Sequence, residues 1–300
     1  MTTSAAVARV STARRPARIA PAPTPATRAP SPFLKWVGGK GKLLTQLVPL
    51  LPPGVDHMRH VEPFAGGAAM FFARRPKRAL LCDANRSLVD TYLSVRDEVD
   101  TVIAELTELS AAHAATGTYY RVRETYNTER TLPRARRAAM FVYLNKTCFN
   151  GLHRVNRRGE FNVPEGRYKA PRILDEETLR AASEQLSSAD IVHADFTELL
   201  SRARPGDFVY LDPPYEPVSR TASFTAYGEG GFSQDDQRRL RDVVTELDRR
   251  GCKLMLSNSD VPFIRDLYSR FRIDTIAAPR AINCDARGRG LVSEVVVRNY

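Results

Sequence analysis

The strongest constraint on the fold is a repeated unit in which a short apolar run ends on a glycine turn or a carboxylate. It occurs at His60-Val61-Glu62-Pro63-Phe64 before Ala65-Gly66-Gly67-Ala68, and at Ala79-Leu80-Leu81-Cys82 before Asp83. It recurs at Ile191-Val192-His193-Ala194 before Asp195 and at Phe208-Val209-Tyr210-Leu211 before Asp212. Runs this short, bounded by glycine, proline or acid, fit strands of a buried parallel sheet. Helical stretches alternate with them: one through residue 73, one over 197–202, and one that Ser233 caps and that runs to residue 250. A strand over 253–257, a helix over 261–269 and a closing antiparallel pair, 271–276 with 291–297, complete an α/β chain. Ligands of open α/β sheets sit at the carboxyl ends of the strands, so Gly66, Asp83, Asp195 and Asp212 are expected to face one crevice.

Spacing in the first unit bears on the ligand. Asp83 lies 17 positions after Gly66, near the ~20 at which an acid in a Rossmann-like unit reaches ribose hydroxyls, which indicates an adenosine-containing cofactor. The three-glycine fingerprint that seats a pyrophosphate is absent, which disfavours a nicotinamide cofactor. Upstream, Phe33-Leu34-Lys35-Trp36-Val37-Gly38-Gly39-Lys40-Gly41-Lys42 sets a tryptophan and three lysines around a glycine loop, ahead of a predicted helix over 43–51. Glycines let a backbone approach a ligand, and lysine neutralises a carboxylate or phosphate. The loop lacks the Gly-Lys-Ser/Thr ending of a phosphate loop, so a nucleotide triphosphatase is rejected.

Asp212-Pro213-Pro214-Tyr215 carries the chemistry. The exocyclic amine of a planar base is a poor nucleophile because its lone pair is delocalised into the ring. Acceptors that pull on its N–H groups make the nitrogen pyramidal and aim the lone pair at an incoming methyl. Asp212 and the Pro213 carbonyl are candidate acceptors, since proline has no N–H to compete for its own turn. Tyr215 is placed to stack on the base. Taken alone, the four residues fit an ordinary turn after a buried strand equally well.

Between these halves the pattern changes. Residues 87–109 show helical periodicity, with Leu88, Tyr92, Val95, Val99 and Ile103 on one face, and 133–145 reads as a helix bearing Arg134, Arg136 and Arg137. The stretch 146–164 mixes glycine, amide and basic residues, as does a solvated hairpin or one that enters a DNA groove; composition alone favours the solvated one. The net charge of +11 makes a polyanion a reasonable partner, although residues 1–30 hold five arginines and no acid. That tail, rich in Ala, Pro and Arg, is expected to be disordered. The four cysteines (Cys82, Cys148, Cys252, Cys284) lack paired spacing, which points to reduced thiols, a cytoplasmic setting and no zinc. No apolar run approaches the ~20 residues of a membrane span. Residues 216–232, with Phe224, Tyr227 and Gly228-Glu229-Gly230-Gly231, suit a cover over a site.

Taken together, these motifs resemble the Dam family of adenine-N6 DNA methyltransferases over roughly residues 32–300. The resemblance rests on separated matches in the family's order: Phe33-Leu34-Lys35-Trp36 with Gly38-Gly39-Lys40, Val61-Glu62-Pro63-Phe64-Ala65-Gly66, Cys82-Asp83, Asn150-Gly151-Leu152 through Gly166-Arg167-Tyr168, Asp212-Pro213-Pro214-Tyr215, and Phe224-Thr225-Ala226-Tyr227. It implies a Rossmann-like seven-strand methyltransferase sheet with its last strand antiparallel, formed by 32–85 and 186–300. A mainly helical target-recognition domain over 86–185, carrying a β-hairpin, would be inserted behind the tail (1–31). The implied cofactor is S-adenosylmethionine, held by Trp36, Lys40, Phe64, Ala65, Gly66, Asp83, Asp195, Phe196 and Asp212, with Asp212, Pro213, Pro214 and Tyr215 catalytic. The implied partner is double-stranded DNA, contacted by Phe149, Asn150, Leu152, Arg154, Pro164, Arg167, Tyr168 and Lys169. The implied protein is a metal-free monomer associated with the nucleoid.

In members that read GATC, the position of Arg154 contacts a guanine and that of Phe149 holds an aromatic near the vacated base. Here Phe stands for the usual Tyr at 149, and Thr147-Cys148 for an aromatic-glycine pair, which bears on the target sequence. Ala68 stands where a second glycine is common and is expected to be harmless at a helix start. Methylation of RNA adenine or of a glutamine amide needs the same nitrogen activation. Asp rather than Asn at the head of the motif argues against the amide. A catalytically silent DNA-binding module would need none of Trp36, Lys40, Asp83 and Asp212.

Overall fold

The computed structural model describes residues 28–218, 232–279 and 291–300. At its centre is a seven-stranded sheet in the order β3-β2-β1-β4-β5-β7-β6. The strands are β1 His60–Glu62, β2 Ala79–Asp83, β3 Ala189–His193, β4 Phe208–Leu211, β5 Lys253–Ser259, β6 Arg272–Pro279 and β7 Leu291–Arg298. Strands β1 to β5 pair in parallel, and β7 runs antiparallel to both β5 and β6.

Why the short runs become central strands is visible in β4, which is buried throughout. Phe208 and Tyr210 pack to one face with Met255 and Val296, while Val209 and Leu211 pack to the other with Leu254, Leu256 and Val297. Each such side chain removed from water contributes about 1.5–3 kcal/mol. The strand order reverses between the neighbours β1 and β4, and a crevice opens at such a switch point beyond the carboxyl ends. Those ends deliver Glu62, with the Gly66 turn behind it, and Asp212.

The helices are α1 Leu44–Leu47, α2 Ala69–Arg74, α3 Arg86–Asp97, α4 Val99–Ala112, α5 Thr118–Thr128, α6 Arg134–Thr147, α7 Glu176–Leu186, α8 Leu199–Arg202, α9 Gln234–Arg249 and α10 Pro262–Leu267. Several depart from the sequence expectation. The helix expected over 43–51 is α-helical only over α1 and continues as a 3-10 turn at Val48–Leu50, because Pro49 supplies no N–H to continue an α-ladder. The helix expected over 87–109 is two, parted at Glu98 (φ −138°, ψ 35°); the bend lets both α3 and α4 pack against α6. Helix α5 was not predicted, since its threonines, tyrosines and valine weaken the helical signal. Helix α7 was also missed, although Asp175 caps it by accepting from Thr178 N and Glu176 and Glu177 fill its first turn.

The expected β-hairpin is reduced to two isolated bridges, Cys148 with Glu165 and Val155 with Phe161. Between the latter, Asn156 takes the backbone N–H groups of Arg158 and Glu160 on its side-chain oxygen, at 2.9 and 3.0 Å. The polar turn thus forms, closed by backbone bonds from Asn156 N to the Glu160 carbonyl and from Asn162 N to the Arg154 carbonyl, and goes no further as a ladder. One core cluster joins Leu81 and Ile191 of the sheet to Tyr92 of α3, Tyr119 of α5, Phe141 of α6 and Phe161. The tail's first 27 residues, the stretch with Phe224 and Tyr227, and Cys284 lie outside the described residues. Arg28 pairs with Asp175 at 3.5 Å.

Candidate active site

Asp212 leaves the end of β4 and meets the Lys40 ammonium, Nζ to Oδ1 2.7 Å. Lys40 is itself buried; it also donates to the Gly38 carbonyl at 2.7 Å and lies 4.6 Å from the centre of the Tyr215 ring. Burial pushes the Asp212 carboxyl up to about 6; Lys40 opposes this, and Glu294 and Glu62 reinforce it. The Tyr215 hydroxyl donates to Glu294 Oε2 at 2.8 Å, and burial holds its phenol well above the ordinary value.

The turn is held from behind. Gln237 of α9 donates to the Pro214 carbonyl at 3.0 Å and accepts from Asn258 Nδ2 at 3.1 Å. Asn258 of β5 accepts from Glu216 N, and Ser259 Oγ donates to the Glu216 carbonyl. Among the described residues, no hydrogen-bond donor reaches the carbonyl of Pro213, the residue after Asp212.

Across the crevice, Asp83 clamps the glycine turn. Its Oδ2 takes the Gly66 N–H at 2.9 Å and its Oδ1 the Asn85 N–H at 2.8 Å. Burial raises the Asp83 carboxyl, and these two backbone donors counter it. Each oxygen keeps a second lone pair for a ligand hydroxyl. Gly66 has φ +47°, and a Cβ there would stand 2.8 Å from Trp36 Cδ1. Tyr92 donates to the Gly66 carbonyl at 2.6 Å. Ala68 is not at an ordinary helix start: its φ of 50° is left-handed, which costs a non-glycine residue about 1–2 kcal/mol. Phe64 stacks on Phe196 at 5.5 Å, with Phe232 edge-on to Phe64 at 5.8 Å. Asp195 turns the chain into Phe196 by accepting from Thr197 N at 3.0 Å.

All twelve expected catalytic and cofactor residues line one cleft of about 1980 Å³, together with Asn150, Arg154 and Tyr168 from the expected DNA-contacting set. Phe149, Leu152, Pro164, Arg167 and Lys169 do not line it; Phe149 is 48% exposed. Arg154 Nε donates to Asn162 Oδ1 at 2.8 Å. The Tyr168 ring lies 4.1 Å from the Lys35 ammonium. Asn150 has φ 54°, a left-handed turn that asparagine tolerates well.

Sequence reading missed Glu62, Glu294, Gln237, Asn258, His153 and Phe232. Asn258 stands two residues past the apolar run Leu254-Met255-Leu256 of β5, a weaker form of the signal that marked Asp212. Glu294 carries none, since its neighbours across the sheet come from distant sequence. Among the described residues, no group of three or more His, Cys, Asp or Glu is placed to hold a metal, and no helix is long and apolar enough to cross a membrane.

Comparison with known proteins agrees with this geometry. Residues 36–282 match the family of D12 class N6 adenine-specific DNA methyltransferases. The chain is 41% identical to the Type II methyltransferase M.MjaIII of Methanocaldococcus jannaschii, over 90% of this chain and 99% of that one. It is 40% identical to the Type II methyltransferase M1.LlaDCHI of Lactococcus lactis subsp. cremoris, over 90% and 95%. It is 35% identical to the DNA adenine methylase of Escherichia coli strain K12, over 88% and 93%. The match covers most of the chain, both halves of the crevice included, and the chain belongs to the D12 class of N6 adenine-specific DNA methyltransferases.

Proposed function

We propose that the chain transfers a methyl group from S-adenosylmethionine to N6 of an adenine flipped out of duplex DNA, within GATC. The observation that carries this reading is the half-buried Asp212 carboxylate at a strand end, ion-paired to Lys40, beside a Pro213 carbonyl that no described donor reaches. The cleft fits the donor's chemistry. Phe64, Phe196 and Phe232 offer flat apolar faces, Asp83 and Asp195 offer acceptors, and Lys40 offers a cation. The turn at Ala65 and Gly66, lying under Trp36, brings backbone to the ligand. These residues, with Asp212, would hold S-adenosylmethionine, which when bound supplies an electrophilic methyl on a sulfonium.

The chain's own part is to make the amine nucleophilic. Asp212 and Pro213 accept its N–H groups, Pro214 keeps the turn rigid, and Tyr215, fixed by Glu294 and set beside Lys40, offers a face to the base. Flipping brings the amine there at a cost of a few kcal/mol. Residues 86–185 form the recognition part, in which Phe149, Asn150, Leu152, Arg154, Pro164, Arg167, Tyr168 and Lys169 face the duplex. The relatives named DNA adenine methylase support GATC, as does an arginine at position 154.

An accepting carboxyl must be ionised, and burial has moved Asp212 up to about 6. Single-turnover transfer is therefore expected to be level above that pH and to fall as pH drops through it, about tenfold per unit below. Lys40 favours the ionised form, so Lys40→Met is expected to move this limb to higher pH. A limb unmoved in Lys40→Met assigns it to another group. Arg154→Ala is expected to relax discrimination at one base by ~1–3 kcal/mol while leaving general DNA affinity nearly unchanged. Equal losses on every sequence, with a shallower salt dependence, would make Arg154 a phosphate contact. The reaction itself is tested by incubating the chain with labelled S-adenosylmethionine and unmethylated plasmid, then mapping the modified base.

A further inference from the structure

Trp36 is the chain's single tryptophan, and it touches two regions that must act together. A Cβ added to Gly66 would stand 2.8 Å from its indole, and one on Gly67 3.3 Å from its Cβ. The His153 ring also stacks on it, with centroids 5.8 Å apart and planes 21° from parallel. His153 comes from the loop that carries Arg154, and its Nδ1 lies 3.2 Å from Asn85 Nδ2. Asn85 Oδ1 accepts from Leu88 N, which fixes the amide so that Nδ2 faces the ring. An amide nitrogen only donates, so Nδ1 accepts and the imidazole proton sits on Nε2.

Asn85 gives its own N–H to Asp83, and Asp83 holds Gly66. The contacts close a ring: Gly66, Asp83, Asn85, His153, Trp36 and back to Gly66. On its outer side His153 meets Phe141 and Phe161, at 5.5 and 5.8 Å, which anchor it in the recognition part. Burial lowers the imidazole to about 4, so the ring stays neutral across the working range of pH.

We propose that His153 is a positioning residue that couples the cofactor turn to the DNA-reading loop, so that duplex engaged by that loop tightens the binding of S-adenosylmethionine. This rests on the reading of the cleft given above. By linkage, the cofactor tightens DNA binding by the same factor. The coupling runs through the ring face on Trp36, with the bond to Asn85 setting the ring's orientation.

Trp36 emission reports the link directly. In the full chain, S-adenosylmethionine is titrated with and without a GATC duplex, and the ratio of the two Kd values is the coupling. A ratio of about fivefold or more is expected in the wild type. His153→Gln, of similar volume but without a ring, is expected to bring the ratio to about one. It should raise KM for the cofactor more than it lowers kcat. His153→Phe keeps a ring on Trp36 and is expected to retain most of the ratio, with a melting temperature near wild type. A wild-type ratio of one, an unchanged ratio in His153→Gln, or its loss in a folded His153→Phe overturns the proposal while leaving the cleft reading in place. Failure of S-adenosylmethionine to bind the wild-type chain at all overturns both.

Discussion

Asp212→Ala is expected to lower methyl transfer by at least ~10²–10³-fold, the usual effect of removing one preorganised polar group from a reacting centre. The loss should appear in the chemical step rather than in binding. The carboxylate stands at a strand end with Lys40 as its ion-pair partner and belongs to none of the buried apolar clusters. Burial already disfavours its charge, so the fold loses little. Lys40 keeps its bond to the Gly38 carbonyl and its place over Tyr215. Duplex affinity should stay within several-fold of wild type, because the residues proposed to face the duplex, Arg167 and Lys169 among them, lie elsewhere in the chain. Single-turnover rates, thermal melting and duplex binding on one preparation separate these effects. An Asp212→Ala chain with near-normal turnover would remove the carboxylate from the mechanism.

Gly66→Val is expected to damage both stability and cofactor binding. A side chain at φ +47° costs about 1–2 kcal/mol. The added Cβ stands 2.8 Å from Trp36 Cδ1, and forcing atoms into packed space costs about 1–3 kcal/mol more. Together these amount to a destabilisation of about 2–5 kcal/mol, with the Asp83 clamp and the Trp36 ring displaced. Gly206→Ala is the control. Its φ is +82° and nothing lies within 4 Å of its Cβ, so it should show the backbone cost alone and leave cofactor binding unchanged. Melting temperature and S-adenosylmethionine Kd, measured on both variants, check the pair. Equal behaviour of the two would mean that Trp36 does not restrict the turn.

The central strands were legible because burial on both faces leaves a mark in the sequence. Phe208 to Leu211 must all be apolar, and the acid that follows must be where the run stops. The closing antiparallel pair and the capped helix α9 were legible for similarly local reasons, the latter through Ser233, to which the structure adds Asp236 as the other half of a capping box. What failed depended on distant partners. The break at Glu98 follows from two helices sharing α6, and α5 is helical by packing although its residues favour helix weakly. The hairpin is short: one antiparallel bridge, Val155 with Phe161, stands over a turn whose N–H groups at Arg158 and Glu160 are held by the Asn156 side chain.

The site divides the same way. Asp212, Lys40, Gly66 and Asp83 were found by what their chemistry requires. Glu294, Gln237 and Asn258 support them from strands and helices far along the chain; Asn258 follows an apolar run, but nothing in the neighbourhoods of Glu294 and Gln237 marks the role. Ala68 was misjudged because helix propensity says nothing of a φ of 50° at the residue before the helix.

The most direct measurement maps where the methyl group goes. Unmethylated plasmid is incubated with S-adenosylmethionine and either the wild-type chain or Asp212→Ala, digested to nucleosides, and the methylated species and its sequence context are determined. The account predicts N6-methyladenine at GATC with the wild type and essentially none with Asp212→Ala. Methyl groups on another base, or equal N6-methyladenine from both proteins, would contradict it.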